Sequence, residues 1–224
     1  MYKNKSILAV VTARLNSKRI KNKNIIKIKK SKCLLDWTYE AGKKSKLIDR
    51  LVLSTESKKV SLIAKKIGFE VPFLRPKQFS FDHIEAEAPV KHMIKKIKIK
   101  YDYVLLLQPT SPLRTSNDID NSIKKIIDDN FQSLISISKS KKRNKFVVNV
   151  NKNNTIRFKD EKNKNGFFYY LNGAIFIAKR NFVINKKNFM GKKTGFYLMP
   201  HSRSIDIDTS EDLKKLKKIL EKTK

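Results

Sequence analysis

Cysteine is almost missing from this 224-residue chain, where Cys33 stands alone. A lone thiol excludes an internal disulfide and offers no cysteine cluster to a metal. Glycine and proline are scarce, six of each, and the glycines form neither Gly-x-Gly-x-x-Gly nor a Walker-type phosphate loop. The three histidines, His83, His92 and His201, lack any spacing suited to zinc and read as ordinary. No apolar run approaches the roughly 20 residues needed to cross a bilayer, so no membrane partner is expected. Acids are also few, 20 against 52 lysines and arginines, for a net charge of +32. Only nine of those cations are arginine, and the lysines are spread through the whole chain. Nucleic-acid sites instead concentrate charge in a stripe, often with Arg and aromatic stacking partners. The charge therefore speaks to non-specific attraction, and no specific nucleic-acid partner is expected.

What is present can build a core, since 40% of the residues are hydrophobic. The length suits one large domain, or one domain with a small appendage. The first six residues lead straight into an apolar run without a signal-peptide cleavage region, so cytoplasm is the expected location. Residues 7–11 (ILAVV), 50–55 (RLVLST), 69–74, 101–108 (YDYVLLLQ) and 133–138 (SLISIS) read as strands. Between them, residues 34–46 have helical character. Val60, Ile63, Ala64 and Ile67, then Val90, Met93, Ile94 and Ile97, then Ile119, Ile123, Ile126 and Ile127, carry helical spacing. Ser57 and Ser116 are candidate caps, and Gly68 is a stop signal. This alternation predicts an α/β fold, Rossmann-like, with a mostly parallel sheet flanked by helices. From 139 to 170 the pattern turns polar, with strand-like pieces at 146–150 and 155–158 and Asn153-Asn154 as a hairpin turn. We read 139–170 as an inserted arm on a domain made of 1–138 and 171–224. Residues 173–178 (GAIFIA) return to the core, 196–199 add a short strand, and Thr209 can cap a last helix bearing Leu213, Leu216 and Leu220.

Two stretches suggest chemistry. Just past the first strand come Arg14, Leu15, Asn16, Ser17, Lys18 and Arg19, then Lys21, Lys23 and Asn24. Cations beyond the carboxyl end of a buried strand lie where open α/β sheets bind ligands. Backbone N–H groups with Arg and Lys there suit a polyphosphate; a solvated basic loop is the other reading. In residues 204–209 (SIDIDT), an extended backbone would send Ile205 and Ile207 inward and Asp206 with Asp208 to the opposite side. Twin carboxylates suit a Mg²⁺ that keeps waters and shares substrate phosphates. Surface alternation with a helix cap is the other reading. Gln108 can read a base edge or a sugar hydroxyl, or cap the turn at Pro109. Arg75 can hold a phosphate or carboxylate, or form a surface ion pair. Asn172-Gly173 can bring backbone close to a ligand, or form a turn. Cys33 precedes a helix, which could lower a thiol's pKa, though packing suits it better.

These residues in this order resemble the acylneuraminate cytidylyltransferase family, which makes CMP-activated nonulosonic acids. The matching stretches are AR-x-NSK at 13–18, KN at 23–24, LRP at 74–76, LLQPTSPLR at 106–114, NGAIF at 172–176 and SIDIDT-x-EDL at 204–213. The resemblance implies that Arg14, Asn16, Ser17, Lys18 and Lys23 hold the CTP phosphates. It implies that Asn24, Arg75 and Gln108 complete the nucleotide contacts, and that Gln108, Asn172 and Phe176 contact the sugar. Asp206 and Asp208 would bind Mg²⁺, with Arg14, Lys23 and Asp208 as the catalytic group. A homodimer joined by the arm is implied as well. The chain departs from the family with Leu15-Asn16 after the first Arg, with 82–88 (DHIEAEA) after LRP, and with Tyr170 two before the Asn-Gly pair. The expected reaction is attack of a sugar-acid anomeric hydroxyl on the α-phosphorus of CTP, releasing pyrophosphate. The rivals are another acid sugar, such as a deoxyoctulosonate, and a non-catalytic basic nucleic-acid-binding module.

Overall fold

The apolar run near the start forms β1 (Ile7–Thr12), and its side chains build both halves of the core. Ile7, Ala9 and Val11 enter one layer, Leu8 and Val10 the other. Burial on both faces is what makes such a strand continuously hydrophobic rather than alternating. The computed structural model describes residues 1–222 except 82–83, 144–145, 152, 159–161, 164, 187 and 192. The expectation for His83, the first two residues of the 82–88 departure and parts of the 139–170 arm therefore lie outside the described residues.

β1 pairs in parallel with β2 (Arg50–Ser54) and β3 (Tyr103–Leu107). The sheet continues through β7 (Phe168–Lys179), β4 (Ser133–Ser140) and β8 (Thr194–Leu198), in the order β2-β1-β3-β7-β4-β8. β8 and β4 point the same way as the first three strands, and β7 alone in that path runs against its neighbours. The α/β class and the mostly parallel sheet are as the alternation predicts. Helices α1 (Leu34–Lys44), α2 (Lys58–Ile67) and α4 (Ser116–Asp128) cover one face, burying Leu35, Val60, Ala64, Ile119 and Ile123. Helices α3 (Glu87–Lys96) and α5 (Arg180–Asn185) cover the other with Val90, Met93 and Val183. The last helix, α6 (Ser210–Lys222), packs Leu216 against Leu34 and Ile207.

Several boundaries move for physical reasons. Ser57 caps α2 by accepting the Val60 N–H, and Gly68 ends it at φ 117°. The cap of α4 is Thr115 rather than Ser116, because Thr115 and Asp118 exchange side-chain and backbone bonds in a capping box. Residues 69–74 form no strand: the pairing stops at one Val52–Glu70 bridge, since Pro72 has no N–H to continue a ladder. The arm is a hairpin of β5 (Val147–Val150) and β6 (Ile156–Phe158), turned at Asn154 and tied by the Asn151 side chain, which accepts from Asn153 N and Thr155 N. Its expected limits at 139 and 170 fall inside β4 and β7, which run on as a ribbon through the Ser140–Phe168 pair.

Candidate active site

The chain leaves β1 at Thr12 and returns in a single 3₁₀ turn, Lys23–Ile25. Between them the basic loop is clipped to itself, as the buried Asn24 donates from Nδ2 to the Arg14 carbonyl at 3.0 Å. Residues 204–208 approach from the other end of the chain outside any helix or strand, pinned by Ile207 N–H on the Thr110 carbonyl at 2.8 Å. Ile207 is fully buried, which turns its two neighbours together toward open space. The two segments then meet. Arg19 Nη1 lies 2.9 Å from Asp208 Oδ2, and Lys23 Nζ donates to the Ile207 carbonyl at 2.6 Å and to Asp208 Oδ1 at 3.2 Å.

A cleft of about 610 Å³ opens here, with Arg14, Ser17, Lys18, Lys23, Asn24, Arg75, Gln108, Asp206 and Asp208 all in its lining. The basic loop supplies one wall, the carboxylates another, and Phe79, Phe81 and Ile84 an apolar third. Asn16 is not brought in; it lines a neighbouring hollow behind the loop, with Glu56 and Lys77. Asn172 borders a second cavity that shares Asp206 and Asp208, yet its side chain is spent inside the fold. Its Oδ1 accepts from Ser136 Oγ at 2.6 Å, and its Nδ2 donates to Ser204 Oγ at 3.0 Å. Phe176 packs in the core beside Phe189, with ring centres 6.0 Å apart, away from the cleft.

Charge is distributed unevenly across the two carboxylates. Burial pushes the Asp206 carboxyl above its ordinary value, Asp208 adds repulsion, and Thr110 pulls the other way. Asp206 Oδ1 is buried with no hydrogen-bond partner, an arrangement that costs stability unless something electropositive takes it up. That orphan beside the half-exposed Asp208 fits a divalent cation. Among the described residues no third His, Cys, Asp or Glu joins them, so water and phosphate oxygens would complete a Mg²⁺ shell. Arg75 forms an ion pair, but a buried one, with Glu56 at 3.0 Å; burial holds its guanidinium below the usual value while Glu56 works against that. Cys33 is inert, its thiol pushed up to about 11 by burial. Gly173, at φ 71°, passes so close that a Cβ would sit 3.0 Å from Gln108 Oε1 and 3.7 Å from Asp206 Oδ2. Asn172-Gly173 is therefore a bulge inside β7 rather than a turn, formed where the β4–β7 register shifts between Ile135 and Ile137.

Sequence reasoning passed over Glu56, Ser80 and Thr110. Glu56 stands just beyond β2, the strand beside the one that carries the basic loop, and a single acid there gives no sequence signal of its own. Thr110 lies in the conspicuous Gln-Pro-Thr-Ser-Pro turn.

Comparison with known proteins points to one family. A family model described as cytidylyltransferase matches residues 8–224. The chain is 32% identical over 212 residues to N-acylneuraminate cytidylyltransferase of Escherichia coli O18:K1:H7, covering 92% of this chain and 50% of that protein. It thus spans half the length of that relative. It is also 32% identical to CMP-N,N'-diacetyllegionaminic acid synthase of Legionella pneumophila, covering 96% of each. Among solved structures, a CMP:2-keto-3-deoxy-manno-octonic acid synthetase complexed with CTP superposes with a TM-score of 0.81 over 98% of this chain and all of that one; at 14% identity this likeness concerns the fold.

Proposed function

The chain belongs to the cytidylyltransferase family, and on that premise we propose that it transfers CMP from CTP to the anomeric hydroxyl of a nonulosonic, sialic-acid-like sugar. The observation that carries this reading is the meeting of the basic loop and the aspartate pair across one cleft, through Arg19, Lys23 and Asp208. The cations and the carboxylates line the same cleft, a space for a triphosphate.

In this mechanism Arg14, Ser17, Lys18 and Lys23 grip the triphosphate. Arg19 and Lys23 exchange Asp208 for phosphate oxygens as the nucleotide enters. The sugar hydroxyl oxygen forms a bond to the α-phosphorus, the bond from that phosphorus to the bridging oxygen breaks, and pyrophosphate departs. The hydroxyl proton passes to water in the cleft as the bond forms. Negative charge gathering on pyrophosphate falls against the basic loop, whose Arg and Lys donors stabilise it. Asp206 and Asp208 would hold Mg²⁺, which when bound supplies charge neutralisation at the phosphates. Gln108, beside Gly173, would orient the nucleotide or sugar through its amide. We also propose a homodimer joined through the hairpin arm, where Phe146 and Phe158 stand more than half exposed.

The test is pyrophosphate release from each of the four nucleoside triphosphates, against a panel of nonulosonic and octulosonic acids, with and without Mg²⁺. CTP-specific release with a nonulosonic acid is expected. Release only with a deoxyoctulosonate would move the acceptor, and salt-sensitive retention of random duplex without any release would favour the binding module. Asp208→Asn is expected to cut turnover at least about a hundredfold with the fold intact. Near-normal turnover in that variant would remove the metal assignment.

A further inference from the structure

In a chain with 20 acids against 52 cations, a carboxylate enclosed behind the basic loop is an exception. Glu56 lies just past the end of β2, and its side chain is 13% exposed. It lines the adjoining hollow, which shares Arg14, Ser17 and Lys18 with the cleft, and not the cleft itself. Its Oε1 accepts the Leu15 N–H at 2.8 Å, and its Oε2 accepts from Arg75 Nη2 at 3.0 Å and from Ser80 Oγ at 2.9 Å.

Those three bonds join three separate segments. Leu15 belongs to the basic loop, and its N–H is the first main-chain donor after Arg14. Arg75 also donates to the Ser54 carbonyl at 3.1 Å and to Ser80 Oγ at 2.9 Å, which fixes the guanidinium in the cleft wall. Arg14 Nη1 donates to the Ser80 carbonyl at 3.2 Å, so both arginines lean on the same turn. Arg14 and Arg75 repel each other, and Glu56 brings the negative charge that lets them stay close. Like charges gathered in a low-dielectric wall otherwise push apart.

We propose that Glu56 is a positioning residue for the nucleotide side of the reaction. It sets the pose of the basic loop and of Arg75 without touching substrate. The proposal rests on the reading of the cleft as a CTP site.

Glutamine is the informative replacement. It matches glutamate in size but keeps a single acceptor oxygen, so its NH₂ must face either the Leu15 N–H or the donors of Arg75 and Ser80. Glu56→Gln and Glu56→Ala are compared with wild type for kcat, for KM toward CTP and toward the acceptor, and for Tm. The expected result for both variants is a KM for CTP raised about tenfold or more, with KM for the acceptor unchanged. A role confined to folding would lower Tm and kcat while leaving both KM values in place, and that result overturns the proposal. If Glu56→Ala fails to fold, Glu56→Gln decides alone. A wild type that releases no pyrophosphate from CTP refutes the underlying reading, a different failure from variants that match an active wild type.

Discussion

Asp118 shows how a single side chain holds the aspartate segment in place. Its side chain is 1% exposed, and Arg203 grips it through Nη2 at 2.6 Å and Nε at 3.1 Å. Arg203 directly precedes residues 204–208, so this fork anchors the carboxylate strand to the start of α4. Burial works against the Asp118 charge, but Arg203 and the Thr115 donors outweigh it and hold the carboxyl below the usual range. A depressed carboxyl adds stability above its unfolded pKa, and that contribution is lost as pH falls through the folded value. Asp118→Asn is therefore expected to cost about 2–4 kcal/mol at neutral pH by urea unfolding, less than the roughly 3–5 kcal/mol for a fully buried pair broken on one side, because Arg203 is partly exposed. The gap to wild type should close below about pH 4. The two halves of the cleft were legible in the sequence because each gathers charge of one sign beside apolar residues. Glu56 was not, since one acid after a strand carries no pattern and acquires meaning only when Leu15, Arg75 and Ser80 converge on it.

Elements with helical periodicity and a recognisable cap were legible almost to the residue. α2 runs from its Ser57 cap to Gly68, and α6 opens on a Thr209–Asp212 box in which each side chain bonds the other's backbone N–H. α5, only six residues long, is too short to show a period. Only half of β7 is legible, because its first residues, Phe168 to Tyr170, are polar-flanked and pair with the ribbon part of β4 and with β5. Its bulge depends on long-range bonds: Ser136 Oγ accepts the Ile175 N–H at 2.8 Å, and Arg114 donates to the Ala174 carbonyl at 2.8 Å. The bulge delivers Gly173 to the cleft. Gly173→Ala is expected to destabilise the protein by about 1–2 kcal/mol through its positive φ. The added methyl should also displace Gln108 and lower kcat/KM, which steady-state kinetics beside thermal melts would separate. An unchanged kcat/KM would show that Gln108 tolerates the shift.

At the scale of the whole molecule, the helices cover both faces of the sheet, while the hairpin arm leaves Phe146 at 67% and Phe158 at 60% exposure. Exposed aromatics on the hairpin suit a partner surface. Sedimentation is expected to find a dimer for wild type and a folded monomer for Phe158→Asp. A wild-type monomer at micromolar concentration would end the dimer proposal. No described helix is long and apolar enough to cross a membrane.

The reversed strand β7 also fixes an order of events. It supplies the partner that β3 and β4 share, yet it lies at residues 168–179, well after both in the chain. Until that segment leaves the ribosome, β3 and β4 each keep an open, strongly apolar edge, a template for pairing with other nascent chains. Both strands thus wait unpaired on that side during synthesis, and it is there that a chaperone would find its grip.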